Sequence, residues 1–348
     1  MRRKGTFKLV GYCFIVMVIS LVWGTTTRAQ SIKMKKTVWR ANTCCPKAHR
    51  NGQFLDRIAD GVEKRTGGLL KIQVYYSSSL GYPAFKTISA VRNGLIELSE
   101  QFGGAVYGEC PIANPAELWG LIPWGARRLF AEAITPYYKE LFSEKYNQYY
   151  LGVVMDDYRT FALAKKKVQT LDDLKNLKIR APGVHSANIL KLMGAVPVSI
   201  SMPEVYQALS TGVADGALSG NSMFGSAKYW EIIKYAYEPY MGSGQMNYTV
   251  SKQAWDALPL EVQGIVREEV EKALNWSWEA VEVELSRGKK LMIDHGVRYF
   301  DMTPEDLKKI KKLGEPLINE WALKAGAPGA SLVAKAKAAA AKWEAQKK

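Results

Sequence analysis

The chain is poor in the residues that most catalytic centres are built from. It has three histidines (His49, His185 and His295), scattered without metal-ligand spacing, and four cysteines. That leaves little room for a multi-metal enzyme. It has no GxSxG elbow, no GxxxxGK[ST] phosphate loop, no HExxH pair and no GxGxxG after a strand. The common hydrolase, nucleotide and dinucleotide signatures are therefore missing. Gly67-Gly68 and Gly103-Gly104 read as turns. Acidic residues are also scarce, 33 against 48 Lys and Arg, for a formal net charge of +15. Yet no basic run is interleaved with aromatics as a nucleic-acid groove requires. No nucleic-acid partner, metal, cofactor or enzymatic activity is expected. What is present is globular: 348 residues, 47% hydrophobic and 23% charged. That is enough for two or three domains with a sizeable core.

One long apolar run stands apart. Arg2, Arg3, Lys4 and Lys8 precede Leu9–Trp23, and Thr27-Arg28-Ala29 places small side chains before a cut at Gln30. This is the pattern of a cleaved signal peptide over residues 1–29. The run is shorter than the roughly 20 residues a spanning helix needs. Cys13 lies inside the run, so no lipid-attachment cysteine is seen. The expectation is an exported, periplasmic, soluble chain. Cleavage removes five basic and no acidic residues, lowering the charge from +15 to +10. A net positive surface favours capture of anionic solutes.

Strand and helix patterns alternate through the remainder. Thr37–Ala41 and Leu70–Tyr76 read as strands around a helix over Pro46–Lys64, where Phe54, Leu55, Ile58 and Val62 recur at helical spacing. A helix over Phe85–Arg92 and a strand over Ile96–Phe102 follow. Strands at Tyr150–Met155, Phe161–Ala164, Lys178–Arg180, Ala195–Ser199 and Ala214–Leu218 alternate with helices at Ser186–Met193 and Pro203–Ser210. The fold class is α/β with a largely parallel sheet, arranged as two lobes with no repeat that aligns them. One helical pattern runs from Leu258 to about His295, with Gly288 as a candidate break. Unbroken, it would be roughly 50–55 Å long and could run behind both lobes. The Lys-rich end alternates with Ala and reads as a solvated helix.

After processing three cysteines remain, Cys44, Cys45 and Cys110, an odd number in an oxidising compartment. They follow strand ends, where open α/β sheets place ligands. One disulfide joining Cys110 to Cys44 or Cys45 is expected. Packed free thiols are the alternative, and a redox or metal site is a lesser one.

Residues 171–216 read LDDLKNLKIRAPGVHSANILKLMGAVPVSISMPEVYQALSTGVADG. Together with Thr66-Gly67-Gly68 and Leu80-Gly81 upstream, this stretch resembles the solute-binding subunits of tripartite ATP-independent periplasmic (TRAP) transporters, the dicarboxylate-binding-protein family. The resemblance spans residues 40 to 330. It implies a two-lobed periplasmic solute-binding fold, with the ligand between the lobes, a hinge of crossing strands and a long helix spanning both lobes. Lobe I is then 30–155 plus about 245–290, and lobe II 156–244 plus about 291–348. It also implies an organic acid as ligand and a membrane-embedded permease as partner, with the chain itself a monomer.

The resemblance carries site roles over residue by residue. Arg180, in KIRAP, falls on the arginine that forms a two-pronged salt bridge to the solute carboxylate. A guanidinium fork matches two carboxylate oxygens and stays charged in a closed cleft. Arg159, in Asp157-Tyr158-Arg159-Thr160, falls on an assisting arginine. Where many members have asparagine, this chain has Ser219, with Asn221 two further on. Asn42, Cys44, Cys45, Gln101, Phe102, Tyr107 and Trp124 are expected along the wall of the first lobe. Tyr158, Phe224 and Tyr240 are expected near the second lobe and the hinge. The aromatic count near the cleft, with Trp39 added, suggests an aromatic or apolar monocarboxylate. The alternative is that these rings sit in cores, leaving a small pocket for a short hydroxy or keto acid. The same fold could also present an occupied cleft to a membrane receptor as a sensor.

Overall fold

The computed structural model describes residues 32–347, except 158, 159 and 239–241. The signal-peptide reading therefore lies outside the described residues. In chain order the elements are β1 (Thr37–Asn42), α1 (Arg50–Arg65), β2 (Leu70–Tyr75), α2 (Thr87–Arg92), β3 (Leu98–Phe102), α3 (Arg127–Tyr146) and β4 (Gln148–Asp157). Then come β5 (Thr160–Leu163), β6 (Lys178–Ala181), α4 (Val184–Leu192), β7 (Val196–Ser199), α5 (Val205–Thr211), β8 (Gly216–Ser219), α6 (Asn221–Ser226) and β9 (Tyr235–Glu238). The chain ends with β10 (Ser243–Ser251), α7 (Lys252–Asp256), α8 (Leu260–Asp294), β11 (Arg298–Asp301), α9 (Pro304–Lys324) and α10 (Gly326–Ala345). Among the described residues no helix is long and apolar enough to cross a membrane.

The strands form two sheets. One has the order β2-β1-β3-β10-β4, the other β11-β9-β5-β8-β6-β7. β1 runs parallel to β2 and β3, whereas β10 is antiparallel to both β3 and β4. The α/β expectation holds, but the sheets are mixed, because β5 and β10, each entering from the other sheet, run antiparallel to their neighbours. The chain leaves the five-stranded sheet between Asp157 and Thr160 and comes back between Glu238 and Ser243.

Side-chain alternation explains the layers. In the six-stranded sheet, Phe161 and Leu163 of β5, Leu218 of β8 and Tyr237 of β9 pack on one face with Ile189, Leu190 and Ile310. Their neighbours Ala162, Ala217 and Ala236 point to the other face, where Val205, Leu209, Phe224 and Met292 cover them. A strand's period of two thus supplies both cores. In the five-stranded sheet, Trp39, Met246, Tyr248 and Val250 meet α1 and the first half of α8 through Phe54, Leu55, Val262 and Val266. The opposite face of β10 is polar: Tyr150 and Gln245 donate to the Asn247 side chain, and Gln101 donates to Thr249.

α8 is one continuous helix of 35 residues, so Gly288 does not break it. At 1.5 Å per residue it is about 52 Å long, and it packs against α1 and against α6. Gly288 instead permits close approach. A Cβ there would strike the Asn221 carbonyl and lie 3.0 Å from Ser222 Cα. One on Gly225 would lie 2.6 Å from Gly288 Cα. In α10, Leu332, Ala336 and Ala339 share a core with Phe130 and Ile134 of α3 and with Trp321 of α9.

The glycine contact is testable. Alanine in a helix interior ordinarily gains about 1 kcal/mol over glycine. At residue 288 overpacking should outweigh that gain, so Gly288→Ala should destabilise by about 1–3 kcal/mol. Urea unfolding with an unchanged midpoint would contradict the contact.

Candidate ligand-binding site

A cavity opens where the ends of the two sheets face each other. Cys44, Cys45, Phe102, Asp156 and Met246 line it from the β1, β3, β4 and β10 side, together with His49 from the cap of α1. Arg180, Met202, Ser219, Gly220, Ser222 and Met223 line it from the side of β6, β8 and α6. Its free space is about 30 Å³, roughly the share of one liquid water. A larger groove of about 370 Å³ lies across α3, β4 and α8, but several strand ends and buried charges converge only on the smaller cavity.

Arg180 sits on β6 and is 5% exposed. Its Nε donates to the Ile200 carbonyl at 3.0 Å and its Nη1 to the Leu218 carbonyl at 3.3 Å. Two backbone acceptors thus fix the plane of the guanidinium at the cavity wall. Across the cavity, Arg50 pairs with Asp156 while donating to the Met155 carbonyl at 3.3 Å and the Ser277 carbonyl at 3.2 Å. Asn51 Nδ2 donates to Asp156 Oδ2 at 2.6 Å. Burial alone would raise the Asp156 pKa, but the Arg50 charge, a protonated His49 at low pH and the Asn51 bond hold it below the usual range. Burial lowers His49 to about 4, so its ring is neutral at pH 7. His49 Nδ1 accepts from the Asn51 N–H, and Nε2 faces Ser222 Oγ at 3.4 Å.

The cysteines meet a carboxyl that sequence reasoning did not associate with them. Cys44 Sγ lies 3.1 Å and Cys45 Sγ 3.9 Å from Glu100 Oε1. Burial raises Glu100 to about 7. A hydrogen bond with Cys45 pulls the Cys44 thiol down, but burial and the Glu100 carboxyl raise it on balance. Cys44, Cys45 and Cys110 are all free thiols, which corrects the expected bridge. Cys110 is buried in the α3 core with Val106, Ala113 and Tyr146, while the pair faces Glu100.

The other expected residues divide clearly. Arg180, Ser219, Cys44, Cys45 and Phe102 line the cavity. Arg159, Tyr158 and Tyr240 lie outside the described residues. Asn42, Gln101, Tyr107, Trp124, Asn221 and Phe224 are not among the lining residues, and local bonds or packing account for each. The Asn42 amide donates to the Tyr82 carbonyl, and Gln101 to Gln148 and Thr249. Tyr107 stacks edge-on with His185, and the Trp124 indole donates to Glu282. Asn221 accepts from Thr160 and Tyr299 and donates to Glu238. Phe224 is fully buried with its ring 5.3 Å from Tyr229. Of the rings expected at the cleft and described here, only Phe102 reaches the cavity, and Trp39 is in the core. His49, Asp156, Met202, Ser222, Met223 and Met246 were missed. Methionine at an apolar position carries no local signal that separates a core from a cavity wall.

A second buried carboxyl joins the two sides. Glu117, in the turn Pro115–Glu117, accepts from the Ser186 N–H at 3.2 Å and from the Ser186 hydroxyl at the start of α4. Asn114 Nδ2 donates to its other oxygen, and Asn114 Oδ1 is buried without a partner. Burial raises Glu117 to about 7 against an ordinary 4.5. The folded chain therefore holds this proton more tightly than the unfolded one. Stability from this group should fall as pH rises from about 4.5 to 7, by up to about 3 kcal/mol. Glu117→Gln fits if the Asn114 amide turns its oxygen to the new NH2 group. The variant should unfold at a higher temperature than the parent at pH 8 and lose that advantage near pH 4.5. Parallel melting curves across this range would show that Glu117 is ionised in the fold.

Comparison with known proteins matches this geometry to one architecture. Residues 126–324 match the family model of the bacterial extracellular solute-binding proteins, family 7. A solute-binding protein of Chromohalobacter salexigens is 25% identical over 308 residues, covering 88% of each chain. The sialic acid-binding periplasmic protein of Vibrio cholerae is 24% identical over 285 residues, covering 80% of this chain and 86% of that one. Among solved structures, an extracytoplasmic solute receptor of Bordetella pertussis that binds pyroglutamic acid superposes with a TM-score of 0.82 at 25% identity. That match covers 86% of this chain and 99% of the receptor.

Proposed function

The chain belongs to the bacterial extracellular solute-binding proteins of family 7, the TRAP solute-binding family, and from that premise we propose that it captures a short organic acid by its carboxylate and delivers it to a membrane-embedded TRAP permease. The family consists of solute-binding receptors for transporters, not enzymes. It is periplasmic, and we place this chain there after loss of residues 1–29. The two sheets act as two lobes. Lobe I comprises residues up to 157, those from 243 to about 290, and α10; lobe II comprises 160–238 and about 291–324. Solute favours the closed state because only there do both lobes touch it.

The observation that carries this reading is the buried Arg180 guanidinium, fixed by the Ile200 and Leu218 carbonyls at the cavity wall. A planar fork held in this way suits the two oxygens of a carboxylate. Ser219 and Ser222 supply hydroxyls beside it. The lining of the cavity favours a short hydroxy or keto acid over an aromatic one. Phe102 is its one phenylalanine, tyrosine or tryptophan among the described residues, beside three methionines and two serines. The pyroglutamic acid bound by the Bordetella pertussis receptor is likewise a small monocarboxylic acid, though a lactam.

A thermal-shift panel of lactate, a branched-chain keto acid, pyroglutamate, succinate, a sugar acid and an aromatic acid tests the choice. A ligand at 100 times its Kd should stabilise by about 2.7 kcal/mol. The tightest binder is expected among the first three, and tightest binding by the aromatic or the sugar acid would refute the small-acid reading. For that binder, Arg180→Ala leaves a buried anion unpaired, which costs roughly 2–5 kcal/mol. Affinity should then fall about 30-fold to a few thousand-fold, with Arg180→Lys recovering only part. Near-parental affinity in calorimetry would remove Arg180 from the site. Loss of uptake of the acid in a strain lacking the protein would separate delivery from sensing.

A further inference from the structure

Two donor atoms of the cavity wall and one just behind it remain unused by carboxylate capture. Cys44 Sγ, Cys45 Sγ and a carboxylate oxygen of Glu100 all lie within 4.8 Å of one another. Cys45 and Glu100 are buried, and Cys44 is half-buried at the cavity. We propose that Cys44, Cys45 and Glu100 form a binding site for one thiophilic divalent cation of the zinc class, with its fourth position open to the cavity.

The geometry suits such an ion. With Zn–S near 2.3 Å and Zn–O near 2.1 Å, tetrahedral ligands stand roughly 3.6 Å apart for sulfur and oxygen and roughly 3.8 Å for two sulfurs. The two sulfur–oxygen separations here are 3.1 and 3.9 Å. These bracket the tetrahedral value, and all three donor atoms lie within 4.8 Å of one another, so side-chain shifts of a few tenths of an ångström bring them around one ion. Two thiolates with one carboxylate select zinc over magnesium or calcium, which prefer oxygen alone.

The neighbours are arranged as an outer shell. Thr43 Oγ donates to Glu100 Oε2 at 2.9 Å, leaving Oε1 toward the sulfurs. The same hydroxyl accepts from the Cys45 N–H at 3.0 Å, which fixes the turn that brings adjacent cysteines to one side. Asn51 Nδ2 approaches Cys45 Sγ at 3.7 Å. Such partners orient ligands and are worth 10–100-fold in metal affinity. The other candidate ligands nearby are engaged elsewhere. Asp156 pairs with Arg50 and Asn51, and His49 bonds the Asn51 N–H and faces Ser222. Three protein ligands with one open position form a site that exchanges its fourth ligand, unlike a closed structural zinc. The net negative charge of the ligands sits beside Arg180 in the same cavity.

The test uses reduced protein stripped of metal and titrated with Zn²⁺, then with Cd²⁺, whose thiolate bonds absorb in the ultraviolet. One equivalent should bind per chain, with the Cd²⁺ absorbance of two thiolates. Cys110→Ala should leave both unchanged. Thr43→Val should weaken binding by about 10–100-fold, and Cys44→Ala by more. Circular dichroism melts of the metal-free variants check that each is folded. Because Cys44 is half-buried, its alanine variant is the one expected to fold as the parent does. No uptake by the reduced protein overturns the proposal. So does uptake indifferent to Cys44→Ala in a folded chain, or a Cys44–Cys45 disulfide that persists under reductant.

Discussion

A guanidinium and a carboxylate buried together between three elements hold the centre of this molecule. Arg50 stands at the start of α1, Asp156 near the end of β4, and Ser277 midway along α8. Removing one partner of such a pair typically costs 3–5 kcal/mol, because the other charge is left stranded, although the intact pair adds little net stability. Its effect is therefore positional. It fixes the angle at which α1, β4 and α8 meet, and so where His49 and Asp156 enter the cavity.

The long helix and the glycine contact complete that arrangement. α8 meets α1 near one end and α6 near the other. At the second crossing Gly288 and Gly225 let the backbones touch. α6 carries Ser222 and Met223 to the cavity wall. Packing remote from the cavity thus sets its dimensions, since a closely packed interior transmits a displacement. With Trp39 and Phe224 placed in cores, Phe102 stands at the cavity among methionines, serines, the cysteine pair, His49, Asp156 and Arg180.

Much of the fold was legible because its signals are local. Helical spacing of Phe54, Leu55, Ile58 and Val62 predicted α1, and the pattern from Leu258 to His295 predicted α8 to within two residues at each end. Arg180 was legible from its KIRAP context, and the structure puts it on the cavity wall. Aromatics were not legible in this way. Phe224 and Phe102 both follow or end strands, yet one faces a core and the other a cavity. Nothing in their local spacing distinguishes these fates. Gly288 was misread for a related reason. Within one helix a glycine looks like a weakness, and only the presence of α6 makes it a contact.

The amino-acid order established the alternation of strands and helices, the faces each element buries, the family and the arginine at the end of β6. Those properties depend on periods of 2 and 3.6 and on residues adjacent in sequence. Which strand ends face each other was settled only in three dimensions. Glu100 is 55 residues from Cys45 along the chain. It comes within reach because β3 lies next to β1 in the sheet. Asn221 is two residues from Ser219, yet it bonds Thr160, Glu238 and Tyr299 rather than lining the cavity. Strand order and sheet-to-sheet packing are sums of many weak long-range contacts, and no local pattern encodes such a sum.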